Sequence, residues 1–270
     1  MHAAAEPGLG VPVWPEVDWS QPWLQPWRAA GEPLLRHARH CGLVAALNAA
    51  LAEPGRAPIC LAAGSLQFAG QGELPRGEAY EAFIARTARV PTRDNLHDFF
   101  NGLAWLAFPA LKRRLNELQN RQIAAAIPGT QRGAVRDALT LFDENAALWA
   151  APSVLVEPLR QRDWRALFVT HRRAWAASPP PLLFGHALLE KLVRPRKAIT
   201  AHVWVLPSGV QPEPGALASL SPAALAGKPF LPMPVLGVPG WWASNEVPGF
   251  YDDAAVFRRP SSARVKPASE

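Results

Sequence analysis

Apolar residues recur at helical spacing through most of the middle of the chain. Over 38–53, "ARHCGLVAALNAALAE", Val44, Leu47 and Leu51 share a face, and Pro54 with Gly55 ends the pattern. Residues 78–89 set Tyr80, Phe83 and Ile84 on one side. A helix starting at 93 carries Leu96, Phe99, Phe100, Leu103 and Leu106 as a buried stripe, and Thr92 stands where its hydroxyl would cap the first turn. Pro109 divides this helix from the next, which runs to 126 with Leu111, Leu115, Leu118 and Ile123 inward. "PGT" at 128–130 is a break. Further helices are predicted over 131–149, 157–176, 182–193 and 221–226. "AITAHVWVL", 198–206, alternates and is β-branched, which predicts a strand. "PICLAAGSLQFAG" predicts a short strand or loop.

These elements predict a mainly α (α+β) fold: a single compact helical domain over 36–258, with a few short strands and long Pro/Trp-rich irregular termini. Residues 1–35 hold Trp14, Trp19, Trp23 and Trp27 among prolines at 12, 15, 22, 26 and 33, which oppose a regular helix. This arm is expected to pack on the domain through its indoles. Residues 259–270 read as a disordered basic tail. In "PMPVLGVPGWWASN", Pro239 and Gly240 fit the centre of a type II turn, after which Trp241 and Trp242 re-enter the protein.

Composition narrows the class. Apolar residues make up 49% of the chain, enough for a substantial core. The net charge is +6; of 28 basic residues 5 are Lys, which leaves 23 Arg. An excess of this kind favours anionic partners, and ordinary solubilising charge accounts for it as well. Cys41 and Cys60 match no zinc or redox spacing and are expected to be two buried thiols in a reducing cytosol, with one disulfide as the alternative. "MHAAAEPGLG" lacks the basic-then-apolar pattern of a signal peptide. The most apolar segment, "GLAWLAFPAL", is interrupted by Pro109 and falls short of the ~20 residues a membrane span needs. The expectation is a soluble cytoplasmic protein with no membrane span.

Candidate chemistry gathers in "PTRDNLHDFFNG", 91–102. Asp94 and Asp98 are four apart, as are His97 and Asn101, and Asp98 and Asn101 are three apart, so these side chains and Asn95 are neighbours on one helix. Asp94 also suits the positive end of that helix. Asp143 and Glu144 follow an apolar turn in "LFDENAALW". His186 and Glu190 are four apart in "LLFGHALLEKLV", and His202 lies inside the apolar strand. Each group has an ordinary structural use, as a cap or a partner for arginine or backbone. No G-x-S-x-G elbow, P-loop, G-x-G-x-x-G or H-E-x-x-H is present. "LRQRDWRALFVTHRRAW", with five arginines and His171, reads as a solvated helix side or an anion-binding face.

"PTRDNLHDFFNGLAWLAFPALKRRLN", "LTLFDEN", "FGHALLEKL" followed by "ITAH", and "LGVPGWW" with "FYDDAAVFR" resemble, in order, the bacterial family catalogued as domain of unknown function 3025. The resemblance covers residues 60–260. It implies no activity and assigns no role to Asp94, Asn95, His97, Asp98, Asn101, Asp143, Glu144, His186, Glu190 or His202, all of which fall in its blocks.

Two readings follow. In the first, the protein is an enzyme of hydrolytic or proton-transfer type. His97, Asp98, Asp143, Glu144 and His186 converge as catalytic groups, with His97 or Glu144 as general base. His97, Asp98, His186 and Glu190 offer ligands for a divalent metal, better suited to Mn, Fe or Mg than to structural zinc, and Asp94, Asn95, Asn101 and His202 line the same pocket. In the second, the protein is a non-catalytic binding protein whose arginine-rich surface meets a small molecule or other anionic ligand, nucleic acid being the less favoured partner, and the polar clusters are structural.

Overall fold

The structure, a computed structural model, describes residues 14–126, 133–227 and 229–258. The expected break at 128–130 and the tail at 259–270 lie outside the described residues. Contacts group the chain into two compact units. One holds residues up to Ser20 and those from Leu24 to 126; the other holds Gln21–Trp23 and the residues from 133 onward. The sequence reading took 36–258 as one domain, because no change of composition marks a linker.

In the first unit, α1 (Gln25–Cys41) and α2 (Leu43–Leu51) pack side by side. β1 (Cys60–Leu61) and β2 (Gly64–Ser65) form a short antiparallel pair. β3 (Gln67–Gly70) runs parallel to β4 (Arg89–Thr92), with α3 (Tyr80–Thr87) as the crossover. α4 (Leu96–Ala107) and α5 (Pro109–Ala124) complete the unit. Every residue of α4 from Leu96 to Leu106 except His97 is buried, so this helix is the centre of the core.

Three expectations are corrected here. The proline-rich arm becomes helical from Gln25: Pro26 occupies the first turn, where an amide hydrogen would have no helical partner, and Pro33 lies on the exposed face. The periodic stretch at 38–53 is two helices, divided at Gly42, whose φ of +83° suits only glycine. The helix expected from Arg93 starts at Leu96, and its cap is Asn95, whose side chain accepts from the Asp98 amide at 2.8 Å. Thr92 instead ends β4 and donates to the Val90 carbonyl. Indoles of the arm meet aromatic rings of the first unit. Trp14 and Trp19 meet Phe99 edge-on, each at 6.4 Å, and Trp27 meets Phe108 at 5.4 Å.

The second unit is built on a four-stranded sheet in the order β6 (Leu182–Leu183), β5 (Ala146–Trp149), β7 (Thr200–Val205), β8 (Leu231–Pro234). β5 and β7 are parallel, and the outer pairs are antiparallel. The helices are α6 (Ala134–Asn145), α7 (Ser153–Gln161), α8 (Arg172–Ala176), α9 (His186–Leu192), α10 (Pro212–Ser219) and α11 (Pro222–Ala226). The predicted helix at 131–149 therefore ends four residues early. Residues 146–149, apolar throughout and buried, form a central strand, and periodicity does not separate such a strand from a buried helix. The helix predicted at 157–176 is likewise broken, with a single π-helical turn at Ala166–Thr170. β8 escaped prediction because it carries Pro232 and Pro234, which an edge strand tolerates. Gly240 takes φ +78°, as the Pro-Gly turn requires, and Trp241 and Trp242 pack on Trp23 at 6.3 and 6.2 Å.

Candidate functional site

The polar residues of the opening stretch are held by the fold of the first unit. Asp94 serves a helix other than its own: its Oδ1 accepts from the Leu43 amide at 2.6 Å, at the positive end of α2. Asp98 is buried and accepts three hydrogen bonds from Arg93, from the amide (2.7 Å), Nε (3.0 Å) and Nη2 (3.0 Å). Asn95 Oδ1 accepts from the Asp98 amide and caps α4, while the Asp98 carboxylate reaches back beyond the cap to Arg93. Asn101 donates to the Tyr80 hydroxyl at 2.9 Å and accepts from the buried Lys112 ammonium at 2.8 Å. That ammonium also lies 5.5 Å from the Trp105 ring centroid. His97 is half-buried.

The remaining candidates belong to the second unit. His186, the first residue of α9, is buried, and its Nδ1 lies 3.9 Å from Asp143 Oδ2 near the end of α6. This is an electrostatic contact, longer than a hydrogen bond. Gly185 makes the approach possible: a Cβ there would stand 2.4 Å from the Asn145 nitrogen and the Glu144 carbonyl oxygen. Lys191 donates to Asn145 Oδ1 at 2.9 Å. Glu144 and Glu190 are half-buried. His202 sits on β7 opposite Ala146. Thus one unit brings His186 and Asp143 together, while His97 and Asp98 are residues of the other. Among the described residues no three His, Cys, Asp or Glu side chains are grouped to hold a metal ion.

Burial, and next the Lys191 charge, hold the His202 imidazole below the ordinary value of 6.5. The unfolded chain then takes up a proton before the folded one does. This contribution to stability is complete above pH 6.5 and is lost as pH falls toward the lower folded value. Thermal unfolding should show a drop in melting temperature from pH 7 to pH 5 that is smaller in His202→Gln. Equal drops in the two proteins would refute it.

The second unit also contains a cleft of about 920 Å³, in the size range of small-molecule sites. The π-helical turn forms one wall. It turns Phe168 inward, stacked on Tyr251 at 5.4 Å, and leaves Val169 exposed on the cleft. Such turns often mark functional sites. The 3-10 turn Ala243–Glu246 and residues after it supply further lining. Arg172 and Glu246, both in the lining of the cleft, form an ion pair, and the Arg172 charge acts on Tyr251. Tyr251 donates to the Gly237 carbonyl at 2.9 Å. Burial raises the Tyr251 phenol above its ordinary value, and Arg172 opposes that shift. Arg165 and Arg258 add further positive charge to the lining, and Asp163 and Asp252 add negative charge.

The sequence model of one family, described as protein of unknown function (DUF3025), matches residues 66–261. The chain belongs to the DUF3025 family. No curated protein and no solved structure matches it. The family region includes all the cleft residues and every candidate named from sequence.

Sequence reasoning did not nominate Asn245, Glu246, Tyr251 or Arg172. Arg172 and Glu246 are 74 residues apart, so no spacing joins them. The one signal is the arginine-rich, aromatic segment at 159–175, whose pattern equally fits a solvated helix side. The cysteines also differ from expectation: Cys41 and Cys60 are exposed free thiols. Among the described residues no helix is long and apolar enough to cross a membrane.

Proposed function

We propose that the protein binds a small anionic molecule in the cleft of its second unit, and that the polar clusters of the opening helix are structural. The observation that carries this reading is the Arg172–Glu246 ion pair in the lining of a cleft of about 920 Å³. A guanidinium presents five donors, more than one exposed carboxylate can occupy. The hydrogen bonds that tie Asp98 to Arg93 and Asn101 to Tyr80 and Lys112 support the structural half of the reading. Two exposed free thiols suit a reducing cytoplasm. Nucleic acid stays the less favoured partner, because the cleft arginines, Arg165, Arg172 and Arg258, stand among the acids Asp163, Glu246 and Asp252.

The test is thermal unfolding and calorimetry with inorganic phosphate and simple carboxylates, using chloride as the control. Ligands of the folded state should raise the melting temperature with concentration, and Arg172→Gln should remove the effect. A melting temperature indifferent to every anion up to millimolar concentrations would sink the proposal.

A hydrolytic or proton-transfer activity is the second reading, favoured by the contact between His186 and Asp143. A carboxylate beside an imidazole orients it and stabilises its charged form. On this reading His186→Ala abolishes turnover of a generic ester such as p-nitrophenyl acetate while the melting curve is retained. A variant that loses about 1 to 3 kcal/mol of stability, as for a broken buried polar contact, yet keeps any turnover of the wild type returns the pair to a structural role.

A further inference from the structure

We infer that the cleft takes a carboxylic acid bearing an N–H or O–H donor next to an aliphatic body, and that Glu246 occupies the carboxylate's place on Arg172 when the cleft is free. This rests on the cleft reading above and names the ligand class for it. Three observations converge.

The first is the ion pair itself. Glu246 is 56% exposed on its side chain, so water competes for it and an incoming carboxylate can replace it on Arg172. Beside Arg172 in the lining stands the half-buried Tyr251, whose hydroxyl is fixed to the Gly237 carbonyl.

The second is Asn245, the neighbour of Glu246 on the same turn. It lines the cleft and is only 2% exposed. Its amide nitrogen donates to the carbonyls of Leu236 (2.9 Å) and Val238 (2.8 Å), which fixes the orientation of the group. Its Oδ1 is buried and accepts from no donor among the described residues. Buried acceptors are ordinarily satisfied, so a ligand N–H or O–H fits there, one residue from the place where a carboxylate would sit.

The third is apolar surface. Val154, Val169 and Val247 are the exposed large hydrophobic residues described, and Val169 (45%) and Val247 (60%) both line this cleft. An aliphatic group on the ligand would cover them.

The probes are N-acetylleucine, its neutral amide, and inorganic phosphate, each titrated calorimetrically into the whole protein. The acid should bind about tenfold more tightly than the amide, as expected for a charge-assisted bond to Arg172. Glu246→Gln should tighten the acid several-fold by removing the internal competitor and its charge. Arg172→Gln should make acid and amide equal, with melting curves confirming that both variants fold. Equal affinity of the wild type for acid and amide, or weaker acid binding by Glu246→Gln, overturns the inference. If phosphate binds and N-acetylleucine does not, the ligand class falls while the cleft reading stands. If no anion binds, both fall.

Discussion

Removing residues 1–30 is expected to leave no soluble, cooperatively folded protein. The deletion takes out Trp14, Trp19, Trp23 and Trp27 and the first turns of α1. Trp19, Trp23 and Trp27 are each at least nine-tenths buried. Trp14 and Trp19 close the core of the first unit over Phe99, and Trp27 does so beside Phe108. Trp23 packs in the second unit on Trp241 and Trp242. Truncating one buried tryptophan to alanine costs about 3 to 5 kcal/mol. Domains are stable by only about 5 to 15 kcal/mol, so the loss of several exceeds the margin. Expression followed by gel filtration and circular dichroism reads the outcome. A monomeric deletion variant with an unchanged melting temperature would contradict it.

Gly185→Ala is the single substitution expected to do most damage near the candidate residues. The added Cβ would lie 2.4 Å from both the Asn145 nitrogen and the Glu144 carbonyl oxygen, and 2.5 Å from the Glu144 carbonyl carbon. These are backbone atoms at the junction of α6 and β5, so no side chain can rotate away. α9 must move off α6, carrying His186 away from Asp143. Overpacking of this kind costs about 3 kcal/mol, which corresponds to a fall in melting temperature of roughly 10 °C for a chain this long. Gly133→Ala, where a new Cβ meets nothing within 4 Å, is the control and should be near neutral. A Gly185→Ala protein that melts with the control would show that the two elements are not packed as described.

The mainly helical class with a few short strands was legible because the long helices are amphipathic or wholly apolar, and periodicity reports burial on one face. α3, α5 and α11 fall within the stretches predicted for them, as does β7. Four indoles in fourteen residues are costly to leave in water, and Trp19, Trp23 and Trp27 are buried. Ends and breaks were less legible. Thr92 and Asn95 are both competent caps, and only the pairing of β4 with β3 decides that Thr92 belongs to a strand. β5 is an apolar run whose strand character comes from its neighbours β6 and β7.

The candidate site divides in the same way. From "PTRDNLHDFFNG" the sequence determined that carboxylate, imidazole and amide groups would crowd the start of one helix beside an aromatic stripe. It did not determine what they do. Asp94, exposed and just before the helix, finds its partner 51 residues away at Leu43, and Asn101 finds Tyr80 and Lys112 because burial of α4 forces its amide to seek a donor and an acceptor on whichever segment packs against it. The cleft is the opposite case. Arg172, Glu246 and Tyr251 carry no local pattern: they stand on α8 and on two 3-10 turns more than 70 residues further along the chain, and only the fold brings them into one cleft. Local periodicity fixes which residues turn inward; partners distant in sequence are chosen only when the packed chain leaves each polar group one neighbour within reach.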